Sequence, residues 1–362
     1  MAPRTPPSPT ELPGDPSSDP SSDRSGDPSG EPTTRRHAPT SSGAAGKIRI
    51  AASTGADLRE LEGEAALAEL PALLAKPDTT VWVDLTSPSP DQVEAVGAAM
   101  GLHALIIEDV LEGNQRAKIE STDGVVHLVL FALAHGRQFV ASEIDLVLGL
   151  GFLLTVHDEG WDPRATHHLR KSLGEVMAHG PDHLLWSLSD DIVDGYFPFA
   201  DELGDALDTI QDEVIGKASP KALERLFALK RELIEVRRAA SPTREVFNQL
   251  TNRDLPLIDA DELIYFRDVY DHVIRLTDEL DNYRELASST LDVYLTQVNN
   301  NLSVIVKRLT GVTVILAGIG AMAGIFGMSE AAVEVGSFWL VAGSIVGTSA
   351  AAAVVLRWID WI

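Results

Sequence analysis

The pattern of apolar and polar residues changes character twice along this chain. Residues 1–46 are rich in Pro, Ser, Gly, Asp and Thr and contain almost no large apolar side chain. Such a segment cannot bury a core, so we predict that it is disordered. From residue 47 to about residue 160, runs of β-branched residues alternate with short amphipathic segments, which predicts an α/β domain. From residue 161 onward, the apolar positions have helical spacing.

Several elements are predicted within these regions. Ser89-Pro90-Asp91-Gln92 combines an N-cap, a proline at the first helical position and a capping-box Gln, so a helix is predicted to begin here and end near Met100. We predict a long helix over 182–215 that is kinked at Pro198, and a second helix from 221 that is disturbed at Pro242. The joint between them is so short that the two helices should be antiparallel. Strands are predicted at residues 80–85, 125–133, 143–148 and 152–157.

The longest predicted helix lies in the last third of the chain. No Gly or Pro occurs between residue 257 and Gly311, and apolar residues recur every three or four positions, beginning at Phe266, Val269 and Val273. This spacing is typical of a coiled-coil seam. The helix continues into an apolar run, and at 1.5 Å per residue it would be on the order of 100 Å long.

Two uncharged segments near the C-terminus predict membrane spans. Residues 309–328 and 336–356 each approach the roughly 20 residues that cross a ~30 Å hydrocarbon layer. Lys307 and Arg308 precede the first span and Arg357 follows the second, which places both ends in the cytoplasm. The alternative is a pair of buried core helices, but uncharged runs of this length are rare in soluble domains.

Composition narrows the range of functions. The chain has 29 Lys and Arg residues against 54 Asp and Glu residues, a net charge of −25, which argues against nucleic-acid binding and suits a protein that handles cations. It has no Cys, so disulfides, thiolate metal sites and Cys nucleophiles are excluded. No nucleophile elbow is present, and we do not expect an enzyme. The many acidic residues of 182–215 indicate a solvated face, or a face that holds hydrated Mg²⁺ weakly.

Glycine spacing in the spans has a simple structural interpretation. Gly318-Ile319-Gly320 and Ala323 match a dinucleotide-binding pattern, but no strand precedes them. Gly320 with Gly324, and Gly343 with Gly347, have instead the spacing that favours close packing of membrane helices.

Several longer motifs resemble those of the CorA family of magnesium and cobalt transport proteins, part of the metal ion transporter superfamily. The resemblance covers roughly residues 47–362 and ends with two C-terminal spans joined by a short loop. Its motifs are Trp82-Val83-Asp84-Leu85, the run 103–110 ending in Glu108-Asp109-Val110, Gln115-Arg116-Ala117-Lys118, Tyr265-Phe266-Arg267-Asp268-Val269-Tyr270-Asp271-His272 and Leu291-Asp292-Val293-Tyr294-Leu295.

The resemblance implies a funnel-shaped homopentamer with an α/β cytoplasmic domain, a bundle of long helices and two transmembrane helices. It implies that the first span and its long extension line the pore, and that the protein lies in the inner cell membrane with both termini in the cytoplasm. Together, the sequence patterns and the resemblance predict a disordered tail (1–46), which lies outside the resemblance, the α/β domain (47–160), the helical funnel and stalk (161–308), the first span (309–328), an outer loop (329–335), the second span (336–358) and a short tail (359–362).

The resemblance also implies two sets of metal ligands. In the family, Mg²⁺ bound between neighbouring cytoplasmic domains holds the channel closed. The matching carboxylates in this sequence are Asp109 with Asp292, and Glu108 with Asp190 and Asp268. Carboxylates are the hard oxygen ligands that Mg²⁺ prefers.

The pore differs from the family pattern at its mouth. The family signature Gly-Met-Asn is here Gly327-Met328-Ser329, so a shorter hydroxyl replaces a carboxamide. Glu330 and Glu334 of the outer loop are expected to attract cations. The remaining predicted lining residues are Val306, Leu309, Thr310, Thr313 and Ala317.

These implications define the expected function. We expect a channel that admits Mg²⁺ and Co²⁺, is gated by cytoplasmic Mg²⁺, and has as partners its own copies, membrane lipid and divalent cations, but no nucleic acid. The Ser at position 329 leaves two alternatives open: a Zn²⁺, Co²⁺ or Ni²⁺ transporter of the same fold, and a non-conducting membrane protein that senses metal.

Overall fold

The structure is a computed structural model that describes residues 46–55, 57–113, 116–134, 140–253, 255–327 and 335–359. The predictions made for residues 1–45, for the C-terminal residues 360–362, and for Met328, Ser329, Glu330 and Glu334 fall outside the described residues.

A seven-stranded sheet forms the first third of the described chain. Its strands lie in the order β2-β1-β3-β7-β6-β5-β4, and only the central β3–β7 pair is parallel. The strands predicted from β-branched content are confirmed within a few residues. The bounds are β1 Lys47–Thr54, β2 Asp57–Glu62, β3 Thr79–Thr86, β4 Lys118–Thr122, β5 Val125–Ala134, β6 Val140–Gly149 and β7 Phe152–His157.

Three short helices cover one face of the sheet: α1 Glu64–Leu74, α2 Pro90–Met100 and α3 Ala104–Glu112. The predicted capping box starts α2, because Ser89 Oγ accepts a hydrogen bond from the Gln92 amide and Gln92 Oε1 accepts one from the Ser89 amide. Ile106 and Val110 of α3 join the core formed on this face.

The other face of the sheet packs against the helical half of the chain. After a short 3₁₀ turn at Pro163–Ala165 come α4 His167–Ala178, α5 Pro181–Asp194 and α6 Phe197–Gly216. Tyr196, fully buried between α5 and α6, donates a hydrogen bond of 2.6 Å to the carbonyl oxygen of Phe131 on β5. This bond ties the helical layer to the sheet.

The prediction of one kinked helix over 182–215 is wrong. Two helices, α5 and α6, meet at Gly195 and Tyr196. Pro198 lies at the second position of α6, where its missing N–H costs no helical hydrogen bond. The proline therefore begins a helix instead of bending one.

Two long helices follow, α7 Pro220–Asn252 and α8 Leu263–Gly327. The helix α7 continues through Pro242 without a break. Contacts of Lys230 with Ser288 and of Arg237 with Asp281 show that α7 and α8 are antiparallel. Gly204 of α6 lies against Tyr283 of α8, and seven residues further along both helices Gln211 contacts Thr290, so α6 is parallel to α8. Because α7 is antiparallel to α8, the predicted antiparallel arrangement of α6 and α7 is confirmed.

The 65-residue α8 is packed along only its first half. The predicted seam is confirmed from Phe266 to Leu280, where its apolar residues are buried against α6 and α7, and Tyr294 is the last strongly buried one. Residues 298–310 are all exposed within the single chain.

The end of α8 and the last helix, α9 Val335–Trp358, have the length and composition of membrane spans. Only 6% of the apolar window in α8 and none of that in α9 is buried within the chain, which rules against buried core helices. The two helices meet where Thr348 Oγ1 lies 3.8 Å from Met322 Sδ. A Cβ added at Gly320, Gly324, Gly343 or Gly347 would contact nothing within 4 Å, so these glycines do not mediate the packing of α8 on α9.

Candidate metal and ion-conduction sites

The first predicted metal ligand, Asp109, is held by a lysine of the same chain. Glu108 and Asp109 lie in the second half of α3; Glu108 is exposed and the Asp109 side chain is 27% exposed. Lys118 Nζ, at the start of β4, lies 2.5 Å from Asp109 Oδ2 and 3.2 Å from Glu120 Oε1. Burial opposes the charge on Lys118, but its bonds to the two carboxylates outweigh burial and raise its pKa. Any cation that binds Asp109 therefore competes with a permanent positive charge.

A second predicted ligand, Asp190, lies near the end of α5 and is largely buried. Its Oδ2 atom lies 3.0 Å from Nε2 of His168 on α4. Burial raises the pKa of the Asp190 carboxyl, Asp194 raises it further, and His168 and His272 oppose the shift. The charged form of the carboxyl is thus poorly solvated. A bound cation would stabilise that charged form.

Asp190 belongs to a cluster that joins α5 to α8. Ligand atoms of Asp190, Asp194 and His272 all lie within 4.8 Å of one another. His272 Nδ1 lies 3.3 Å from Asp194 Oδ1, and its Nε2 lies 3.8 Å from Asp268 Oδ2. We refer to Asp190, Asp194, Asp268 and His272 as the acid–His cluster.

The acid–His cluster contains two predicted ligands and two that were not predicted. Asp190 and Asp268 were expected to share a site, and the structure brings both of them close to His272. Asp194 and His272 were missed as ligands. Each follows a predicted ligand by four residues on the same helix, a spacing that places both on one helix face and that is visible in the sequence.

Glu108 cannot join the acid–His cluster within one chain. The helix α3 packs on the sheet face formed with Val83, whereas α5 packs on the face formed with Trp82. Successive residues of a strand point to opposite faces, so Glu108 and Asp190 lie on opposite sides of the sheet.

The remaining predicted residues lie on α8. Asp292 is exposed, two residues before Tyr294, the last strongly buried residue of the seam. All five predicted lining residues are exposed in the single chain, among them Val306 at 52% and Leu309 at 66%. Thr313 Oγ1 donates to the carbonyl of Leu309, so its lone pairs remain available to a hydrated ion. Gly327 is the last residue of α8.

A family model described as CorA-like Mg²⁺ transporter protein matches residues 77–358. The chain belongs to this family. It is 33% identical over 258 residues to the cobalt/magnesium transport protein CorA of Thermotoga maritima, an alignment that covers 69% of this chain and 73% of that protein. The CorA resemblance found in the sequence motifs is therefore confirmed.

Solved structures show the same fold. The complete CorA magnesium transporter of Methanocaldococcus jannaschii superposes with a TM-score of 0.73 at 21% identity, covering 87% of this chain and 99% of that one. The full-length CmaX protein gives a TM-score of 0.69 at 18% identity, covering 88% and 100%. The expected fold class, an α/β domain followed by long helices and two apolar C-terminal helices, is confirmed.

Family membership settles the broad class of function. The CorA family consists of membrane transporters of Mg²⁺ and not of enzymes. The prediction that the chain is not an enzyme is confirmed, and so is the prediction that it belongs to a family of membrane transporters of Mg²⁺.

Proposed function

We propose that this protein is a homopentameric channel of the inner cell membrane that admits Mg²⁺ and Co²⁺ and is closed by cytoplasmic Mg²⁺. The observation that carries this proposal is the course of α8. One unbroken helix contributes Asp268 to the acid–His cluster, then Asp292, and then the predicted lining residues from Val306 onward. A single rigid element therefore joins the proposed sensor to the proposed pore.

The exposure of α8 supports assembly into an oligomer. Residues 298–310 are all exposed within the described chain, although Leu302, Ile305 and Leu309 are large and apolar. Contiguous exposed apolar surface of this kind marks an interaction site. Neighbouring copies of α8 around a central pore would cover it.

The placement of the acidic residues supports regulation between subunits. Because Glu108 and Asp190 lie on opposite faces of the sheet, a site that uses both needs a neighbouring chain. Their carboxylates, with those of Asp268 and Asp292, suit a hydrated Mg²⁺ ion. Mg²⁺ that binds only the closed arrangement would favour that arrangement by mass action.

A transporter of Zn²⁺, Co²⁺ or Ni²⁺ is the second candidate. It is favoured by His272, whose imidazole lies between Asp194 and Asp268, since imidazole nitrogen suits these metals better than it suits Mg²⁺. The replacement of the family Asn by Ser329 points the same way, because it alters the ring that meets the ion first.

Ion flux into liposomes tests the function. The full chain is reconstituted with a Mg²⁺-sensitive dye inside the vesicles, and the wild type is compared with Ser329→Asn. We expect Mg²⁺ uptake by the wild type that Co²⁺ inhibits. Uptake of Zn²⁺ in preference to Mg²⁺ would establish the second candidate. Flux only after Ser329→Asn would overturn conduction by the natural chain and favour a non-conducting sensor.

Gating is tested on the same vesicles. Asp292→Asn should leave flux active at internal Mg²⁺ concentrations that close the wild type. Glu285→Gln is the matched control, since it removes one exposed carboxylate from the same helix. An equal effect of both substitutions would refute a specific role for Asp292. Light scattering of the detergent-solubilised protein should give five chains per particle.

A further inference from the structure

A groove of about 360 Å³ lies between α7 and α8, outside the predicted membrane spans. Its base is apolar, with Leu233 and Leu280 almost fully buried, and Ile234 and Pro242 extend the apolar wall. Sites for small organic ligands have this volume, an apolar lining and a few fixed polar groups. The groove is also separate from the acid–His cluster, because Leu280 is eight residues, or about 12 Å, further along α8 than His272.

The polar groups of the groove are positively charged. Three of its eight lining residues are arginines, Arg237, Arg238 and Arg284, and none of the eight is acidic. This is notable in a chain with 54 acidic and 29 basic residues. The groove therefore collects positive charge on a chain whose net charge is −25.

Neighbouring carboxylates balance this charge only in part. Asp281 lies 2.8 Å from Arg237 Nε and 3.7 Å from Arg284, so two guanidinium groups share one carboxylate. Arg238 pairs with Glu235 at 3.2 Å. Among the ion pairs of the described residues, these three guanidinium groups thus share two carboxylates, which leaves one positive charge in excess beside an apolar floor.

We propose that this groove binds a nucleoside phosphate, with the phosphates on the arginines and the base on the apolar floor. Guanidinium groups bind phosphate oxygens in pairs of parallel hydrogen bonds and also stack on flat rings. A lipid headgroup of the spanned membrane does not fit the position, because residues 284 and 309 are 25 residues apart, about 38 Å along a helix. Binding in the groove does not require that the proposed channel conducts.

The proposal is tested with the full chain in detergent, at pH 7.5 and with EDTA to remove divalent cations. Binding of ATP is measured by equilibrium dialysis, with adenosine and tripolyphosphate as competitors. We expect ATP to bind, and Arg284→Gln to weaken binding at least about tenfold through loss of a charge-assisted hydrogen bond. Arg275→Gln, which removes an exposed arginine of α8 outside the groove, should change affinity less than twofold.

A second variant separates the groove from general charge effects. Ser241→Trp places a large side chain on the groove wall without changing charge, and it should also abolish ATP binding while the oligomer size stays constant. Three results would overturn the proposal: no ATP binding by the wild type, equal affinity in Arg284→Gln, or equal competition by tripolyphosphate, which would mean that the apolar floor is unused.

Discussion

Lys118 offers a quantitative test of the role proposed for Asp109. Its ammonium nitrogen lies 2.5 Å from Asp109 Oδ2, so it occupies the carboxylate that a regulatory Mg²⁺ would use. The lysine side chain is 18% exposed and its pKa is raised, so the charge is present at every physiological pH. Removing that charge should make Mg²⁺ bind more tightly.

The size of the effect follows from the geometry. Mg²⁺ bonds oxygen at about 2.1 Å, which places an ion on Asp109 about 4–5 Å from Lys118 Nζ. A charge of +1 and a charge of +2 at that separation repel by about 2 kcal/mol at the dielectric constant of water. Screening by physiological salt reduces this to about 1 kcal/mol, or roughly a fivefold change in affinity. Partial burial of the pair lowers the dielectric constant around it, so the fivefold change in affinity is a lower bound.

The assay is a Mg²⁺ titration of thermal unfolding of the full chain in detergent, followed by circular dichroism. Lys118→Met should reach half of its Mg²⁺-induced stabilisation at a Mg²⁺ concentration at least fivefold lower than the wild type. Lys118→Arg, which keeps the charge, should stay near the wild type. Lys47→Met removes an exposed lysine that pairs with Glu159 at 3.6 Å, and it controls for the change in net charge. A midpoint in Lys118→Met that is unchanged or higher would refute metal binding at Asp109.

Three further substitutions test the cluster and the core by thermal unfolding in metal-free buffer. Burial raises the pKa of Asp190 above 3.8, so the ionised carboxylate destabilises the folded state at neutral pH. Asp190→Asn should therefore raise the melting temperature at pH 7.5, and this gain should shrink as the pH falls towards 4. Tyr196→Phe should cost about 1–3 kcal/mol by removing the buried bond to Phe131, and no change in melting would contradict that bond. Asp84→Ala should cost about 1–3 kcal/mol because it leaves the buried Thr155 and His157 without their shared hydrogen-bond partner, whereas an unchanged free energy of unfolding would show that these bonds are dispensable.

Local signals were sufficient where the local sequence decides the structure. The capping box at Ser89 and Gln92 predicted the start of α2 correctly, because both bonds of the box lie within four residues. The absence of Gly and Pro between residue 257 and Gly311 predicted the long helix, because helix breaking by these residues is also a local effect. Pro198 misled the prediction, because a proline that begins a helix and one that bends a helix have similar sequence surroundings.

Contacts between residues that are far apart in the chain could not be predicted from the sequence. His272 follows Asp268 by one helical turn, but only the packing of α5 on α8 brings it to Asp194 and Asp190. Likewise the separation of Glu108 from Asp190 by the sheet depends on which face each helix covers. The resemblance supplied the candidate acids, and the fold shows which of them lie close together within one chain.

The continuity of α8 limits how the proposed channel can open. From Asp268 to Val306 the helix runs 38 residues, about 57 Å, without a Gly or Pro at which it would bend sharply. A displacement at the acid–His cluster is therefore carried along the stalk as the movement of a rigid rod. The first residue with freedom to absorb it is Gly311, at the entrance to the membrane span. In the proposed pentamer, loosening of the contacts between neighbouring copies should thus tilt the stalks as units, and the pore should widen at Leu309 before any part of α8 unfolds.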